Sequence, residues 1–159
     1  SDITYVATAE GWLYVGVVLD LYARRVVGWS MSSSLGAGLA LKGVRDGLHA
    51  MSPTGDAAVP LRSRGGQYTS HAFRRALRCH QIRQSMSRRG DCYDNACAEA
   101  FFKTLKTELT NRMFFRTWQE ARAAIFEYVE TFYNRVRLHS AIGYVPPCEY
   151  EANALQEAA

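Results

Sequence analysis

The amino-acid sequence predicts an α/β fold, a five-stranded mixed sheet flanked by helices. Three observations lead there. Near the start, three segments rich in β-branched and aromatic residues follow one another with only short connections. Short apolar stretches then alternate with segments of helical periodicity, and the last third carries amphipathic helical stripes. The chain has 159 residues, 48% of them hydrophobic, which is enough for one packed core and argues against disorder.

Residues 3–8 (ITYVAT), 12–19 (WLYVGVVL) and 25–31 (RVVGWSM) read as strands joined by the tight connections AEG and DLYAR, an antiparallel meander. The middle strand is apolar at nearly every position, as expected when both faces are buried. Residues 36–50 space Leu39, Leu41, Val44 and Leu48 helically before Pro53 and Gly55 break the pattern. AAVPL (57–61) is a fourth strand, and Pro60, which cannot donate to a ladder, assigns it to an edge or an end. Residues 69–79 form a helix with Phe73, Ala76 and Leu77 inward and Arg74, Arg75 and Arg78 outward; QIRQSM (81–86) is a fifth strand. After the polar loop SRRGDCYDN come a helix over 94–110 and a long helix over 117–134. The long helix is expected to bury Trp118, Ala121, Ile125, Val129 and Phe132, with Thr117 and Glu120 as a capping box. YNRVRLHSAIGYVPP reads as an irregular segment wrapping back, with Pro146 and Pro147 ending regular structure. Residues 1–150 thus form one unit and 151–159 a tail. Trp12, Trp29 and Trp118 are expected in the core. The order βββαβαβαα is the layout of a ribonuclease H-like fold.

Formal net charge is +4, and its distribution says more than its size. Eight arginines and no acid lie between Arg62 and Arg89, a segment that repels itself unless an anionic partner or a nearby acidic region offsets it. No apolar run reaches the roughly 18–20 residues of a membrane helix, and no targeting segment is visible, so the expected location is the cytoplasm. Cys79, Cys92, Cys97 and Cys148 are expected as buried reduced thiols, since Cys97 falls inside a helical pattern that suits no zinc site.

Glu99 shares a helical stripe with Lys103 and Lys106, at i+4 and i+7, beside an apolar stripe of Phe102, Leu105 and Leu109. One helix would then pack on the sheet while presenting a carboxylate flanked by two lysines. A metal-ligating acid beside phosphate-binding lysines suits cutting or joining DNA; a surface Glu–Lys pair worth a few tenths of a kcal/mol has the same spacing. The loop LRSRGGQYTS (61–70) carries two arginines and two glycines but no acid. By itself it is a phosphate cradle, a bare turn, or an active-site loop that lacks a ligand.

DITYVAT, GWLYVGVVLDLYARRVVGW, GGQYTSHAF, QSMSRRGDCYDNACAEAFFKTLKTEL and FYNRVRLHSAIGY, in that order over nearly the whole chain, resemble the catalytic core of bacterial insertion-sequence transposases, the integrase-core group related to retroviral integrases. The resemblance implies a ribonuclease H-like fold and an Asp–Asp–Glu metal site. Asp2 matches the first acid and Glu99 the third. The second precedes Arg-Gly-x-Gln-Tyr-Thr-Ser, which aligns with Arg64 to Ser70 and puts Ser63 where the family has Asp. Thirty-five residues lie between Ser63 and Glu99, the family spacing. Leu61-Arg62 replaces the usual His-Ser as well, which looks more like drift in a decaying element than a single introduced change. The resemblance therefore implies magnesium or manganese held by Asp2 and Glu99, with binding weakened because a neutral hydroxyl replaces one carboxylate. Asp56, Asp91 and Asp94 are poor substitutes, and Asp20 suits a structural hydrogen-bonding role. Arg62, Arg64, Arg88, Arg89, Tyr93, Asn95, Lys103 and Lys106 are the implied DNA contacts; Arg135, Arg137 and His139 either join them or dock the tail. The implied function is metal-dependent strand cleavage and strand transfer on element ends and target DNA, by a homodimer or higher oligomer, impaired at Ser63. A non-catalytic DNA-binding or interaction module that keeps the fold is the alternative.

Overall fold

The computed structural model describes residues 1–51, 58–61, 70–79, 83–86 and 96–157. Strands β1 (Asp2–Thr8), β2 (Gly11–Leu19) and β3 (Val26–Ser32) form the expected antiparallel meander in the order β1-β2-β3. Asp2 pairs with Val17 and Val6 with Leu13, so these residues share one face of the sheet. The turn between β2 and β3 is built by Asp20, whose carboxylate accepts from Tyr22 N at 3.1 Å and Ala23 N at 3.0 Å. That is the structural role expected for this acid.

Helix α1 (Ala37–Met51) lies on the other face, against β3 and β2. Its close approach depends on glycine. A Cβ on Gly28 would stand 2.2 Å from the Gly43 carbonyl oxygen and 2.4 Å from Gly47 N. Ser30 Oγ donates to the Leu39 carbonyl from the same strand, closing that interface. Strand β4 (Ala58–Leu61), helix α2 (His71–Cys79) and strand β5 (Arg83–Met86) follow. Phe73 and Leu77 of α2 are fully buried with Ala40 and Val44 of α1, and Arg74, Arg75 and Arg78 are exposed as expected.

The expected five-stranded sheet is corrected at this point. Among the described residues, β4 and β5 form a separate parallel pair rather than extending the meander. Four residues offer few ladder bonds, and Pro60, paired with Ser85, has no N–H to give toward a further neighbour.

Helix α3 (Ala96–Leu105) runs on as a π-helical turn over Lys106–Thr110, and α4 (Trp118–Glu127) as another over Tyr128–Tyr133. Both pack on the Val6 face: Phe101, Phe102, Leu105, Ala121, Ile125 and Val129 join Val6, Leu13, Val15 and Val17 in the main core. The middle strand is thus covered on both faces, as its composition predicts. Thr117 caps α4, its Oγ1 accepting from Glu120 N at 3.1 Å. Glu120 reaches one residue further back than a capping box requires and accepts from Arg116 N.

Four local expectations change. Phe132 is 40% exposed and Tyr133 takes the inward position at 4%, because the π turn inserts an extra residue per turn and advances the buried stripe by one. Pro147 begins rather than ends regular structure: it is the first residue of α5 (Pro147–Glu157), where its missing N–H costs nothing and its fixed φ favours the helix. Trp12 stands half exposed against Tyr5 instead of in the core, because it sits at the outer end of β2. Of the thiols expected to be buried, Cys79 is exposed at the end of α2, Cys97 and Cys148 are half-buried, and Cys92 lies outside the described residues.

Asn134 is 3% exposed and ties the end of α4 to β3. Its Oδ1 accepts from Val26 N at 2.9 Å and its Nδ2 donates to Val26 O at 3.0 Å, while its own carbonyl accepts from Cys148 N of α5. Arg25–Glu151 and a Tyr22–Tyr150 ring contact hold α5 from the β2–β3 turn. Among the described residues no helix is long and apolar enough to cross a membrane.

Candidate active site

Asp2 begins β1, an outer strand of the meander among the described residues, half-buried, with its Oδ1 accepting from Ile3 N at 2.9 Å. Side chains alternate along a strand, so Asp2, Thr4 and Val6 stand on the face that α3 covers, whereas Ile3 turns toward α1 and α2. Glu99 is in the first turn of α3, also half-buried. The β2–β3 turn meets the start of α3, where Arg24 Nη1 donates to Cys97 Sγ, two residues before Glu99. Both acids have interaction partners of their own.

The helix spacing orders the rest. Ala98, Phe101, Phe102 and Leu105 are buried against the sheet. Lys103 is exposed and Lys106 half-buried on the Glu99 stripe, so the stripe read from sequence is present. Lys106 Nζ sits 5.1 Å from the centroid of Tyr5, itself half exposed and edge-on to Trp12. Sequence reasoning missed Tyr5 as a partner of the lysine; the available signal was an aromatic residue in the first strand, three positions after Asp2 and on the alternate register.

Ser63, Arg62, Arg64, Arg88, Arg89, Tyr93 and Asn95 lie outside the described residues, as do Asp56, Asp91 and Asp94. Among the described residues no group of three His, Cys, Asp or Glu side chains is placed to hold a metal. The donor set among the described residues is two carboxylates, hard anionic oxygens of the kind magnesium takes when substrate phosphates complete its sphere.

The segment after α4 docks rather than projects. Glu108 accepts from Arg137 at 2.9 Å and from the Tyr128 hydroxyl at 2.7 Å, joining the end of α3 to the end of α4. Burial pushes the Glu108 carboxyl up, but the hydrogen bonds from Arg137 and Tyr128 outweigh it and leave its pKa below the usual value. His139 packs edge-on to Tyr133 at 4.7 Å; burial first, and the Arg137 charge second, lower its pKa.

Models of the integrase core domain match residues 1–92 and 80–147. The chain is 44% identical over 151 residues to the transposase InsF for insertion sequence IS3A of Escherichia coli K12, covering 95% of this chain and 52% of that protein. It is 42% identical to the transposase for insertion sequence element IS904 of Lactococcus lactis subsp. lactis, over 95% of this chain and 59% of that one. The chain therefore spans about half the length of the curated relatives it matches. The simian T-cell lymphotropic virus intasome in complex with a PP2A regulatory subunit superposes with a TM-score of 0.73 at 13% identity, over 94% of this chain and 51% of that one. The HTLV-2 integrase catalytic core in complex with magnesium gives 0.66 at 11%, over 94% and 91%. The BIV integrase core gives 0.63 at 12%, over 99% and 96%. These identities bear on the fold alone, which is that of retroviral integrase catalytic cores.

Proposed function

Because the chain belongs to the integrase core domain family, we propose that it is the catalytic core of an insertion-sequence transposase, built for strand cleavage and strand transfer on DNA and impaired at Ser63. The observation that carries this reading is the 44% identity to a transposase across 95% of the chain. The common face of Asp2 and α3, and the lysine stripe beside Glu99, support it.

Asp2 and Glu99 are the residues that would hold magnesium or manganese, as the HTLV-2 core holds magnesium. When bound, the ion supplies charge stabilisation at a phosphodiester undergoing displacement. The chain's own contribution is placement. Lys103 and Lys106 offer ammonium groups along the line on which Glu99 stands, and Arg62, Arg64, Arg88, Arg89, Tyr93 and Asn95 add phosphate and strand-end contacts. Ser63 offers a neutral hydroxyl in place of a third carboxylate, so the site has two formal negative charges to attract a dication, and affinity falls. The partners are element ends and target DNA, met by a self-associated core in the cytoplasm.

The test compares this chain with Ser63→Asp. The Asp variant is expected to bind manganese at least about tenfold more tightly, read as a larger metal-induced rise in melting temperature. It is also expected to gain cleavage of a DNA carrying the element end, and Glu99→Gln should abolish both gains. DNA binding with neither gain favours the non-catalytic module, the reading that the missing acid at position 63 itself motivates.

A further inference from the structure

Helix α3 has a second working flank. Turning about 100° per residue, it carries Ala100 and Thr104 about a third of a turn away from the Glu99–Lys103–Lys106 stripe. That flank forms one wall of a groove of about 550 Å³, within the range of small-ligand sites. The opposite wall is the turn that follows α4.

Four observations on the described residues converge in this groove. Its lining contains Arg24, Arg137 and His139, the hydroxyls of Thr104, Ser140 and Tyr144, and no carboxylate. Two buried nitrogens there, Arg24 Nε and His139 Nε2, have no hydrogen-bond partner, a costly state unless a ligand completes it. Arg24 and Tyr144 are the two non-glycine residues in the left-handed backbone region, at φ 61° and 59°. Such conformations are unfavourable for residues with a Cβ and gather at ligand sites. Finally, Tyr144, which lines the groove, is 69% exposed. Arg137 is already paired with Glu108 and Arg24 Nη1 donates to Cys97 Sγ, so both guanidiniums are held in place before any ligand arrives.

Unsatisfied nitrogens beside a cation, with an open aromatic face next to them, match a phosphate attached to a flat base. The groove also starts at Ala96 and Cys97, in the same first turn as Glu99, so a strand leaving the candidate active site can enter it. We infer that this groove is a nucleotide subsite: it takes one unpaired nucleotide of a DNA strand, with the phosphate on the Arg24 guanidinium and the base stacked on Tyr144. The inference rests on the DNA-processing reading above and adds where a single strand is gripped.

The experiment measures binding of the chain to a labelled blunt duplex and to the same duplex with a short unpaired thymidine tail, by fluorescence anisotropy. Tyr144→Gly and Arg24→Gly are the variants, because glycine accepts the left-handed backbone and spares the fold. The parent is expected to prefer the tailed DNA. Tyr144→Gly should lose about tenfold in affinity for the tailed DNA, and Arg24→Gly should lower its salt slope by about one. Both should bind blunt duplex as the parent does, and Tyr144→Gly should melt no lower. A parent that binds blunt duplex with no preference for the tail removes the subsite and leaves the DNA reading standing; a parent that binds neither DNA overturns both. A tail preference that survives both substitutions also overturns the subsite, as does a Tyr144→Gly chain that melts below the parent, since the ring would then be packing.

Discussion

Asn134→Ala tests whether one buried amide joins the two halves of the molecule. The Asn134 side chain satisfies both backbone groups of Val26, at 2.9 and 3.0 Å, across 108 positions of sequence. Val26 is itself 3% exposed, so water cannot replace the amide without opening the core. Truncation leaves one buried N–H and one buried carbonyl unpaired, each costing about 1–3 kcal/mol, for a total of about 2–6 kcal/mol. Against a typical stability of about 5–15 kcal/mol, that is a large fraction. Urea unfolding followed by tryptophan fluorescence measures it, and the expected result is a lower midpoint with an unchanged slope. Asn134→Asp keeps the shape and one acceptor but loses the donor to Val26 O, so it should cost a similar amount at neutral pH. A loss below about 1 kcal/mol for the alanine variant would refute the reasoning, because it would mean that Val26 finds other partners.

Gly28→Ala should destabilise by about 3 kcal/mol or more, since the new methyl meets the backbone of Gly43 and Gly47, which cannot rotate away as a side chain could; a thermal melt within a degree or two of the parent would contradict this. His139 is held neutral by burial and by Arg137. Its folded pKa is depressed, so the unfolded chain binds the proton first, and the stability it contributes is present above the ordinary value of about 6.5 and is lost as pH falls below it. Arg137, Glu108, Arg24 and Tyr133 surround that ring. His139→Gln should flatten the pH dependence of the melting temperature below pH 6.5, and an unaltered profile would assign that dependence to other groups.

Much of the fold was legible because its signals are local. The meander follows from β-branched runs with short connections, the α4 start from Thr117, and the β2–β3 turn from Asp20. The Glu99–Lys103–Lys106 stripe needed only the helical period. The π turns were not legible, because no residue type demands them; they arise when packing favours an extra residue, and one such insertion moved burial from Phe132 to Tyr133. Pro147 misled for a related reason: proline stops a helix from inside it and starts one from its first position, and only the chain path decides which applies.

By itself the sequence determined the order of the elements as far as α4, the candidate acids Asp2 and Glu99, and the serine between them, since each depends on residue identity and spacing along the chain. Tertiary structure decided which face of β1 meets α3, that β4 and β5 pair apart from the meander among the described residues, and that Arg24, His139 and Tyr144 line one groove. Those facts depend on pairings between residues far apart in sequence, such as Asn134 with Val26 and Arg24 with Cys97, and on the backbone angles adopted there. No local pattern of residues encodes them.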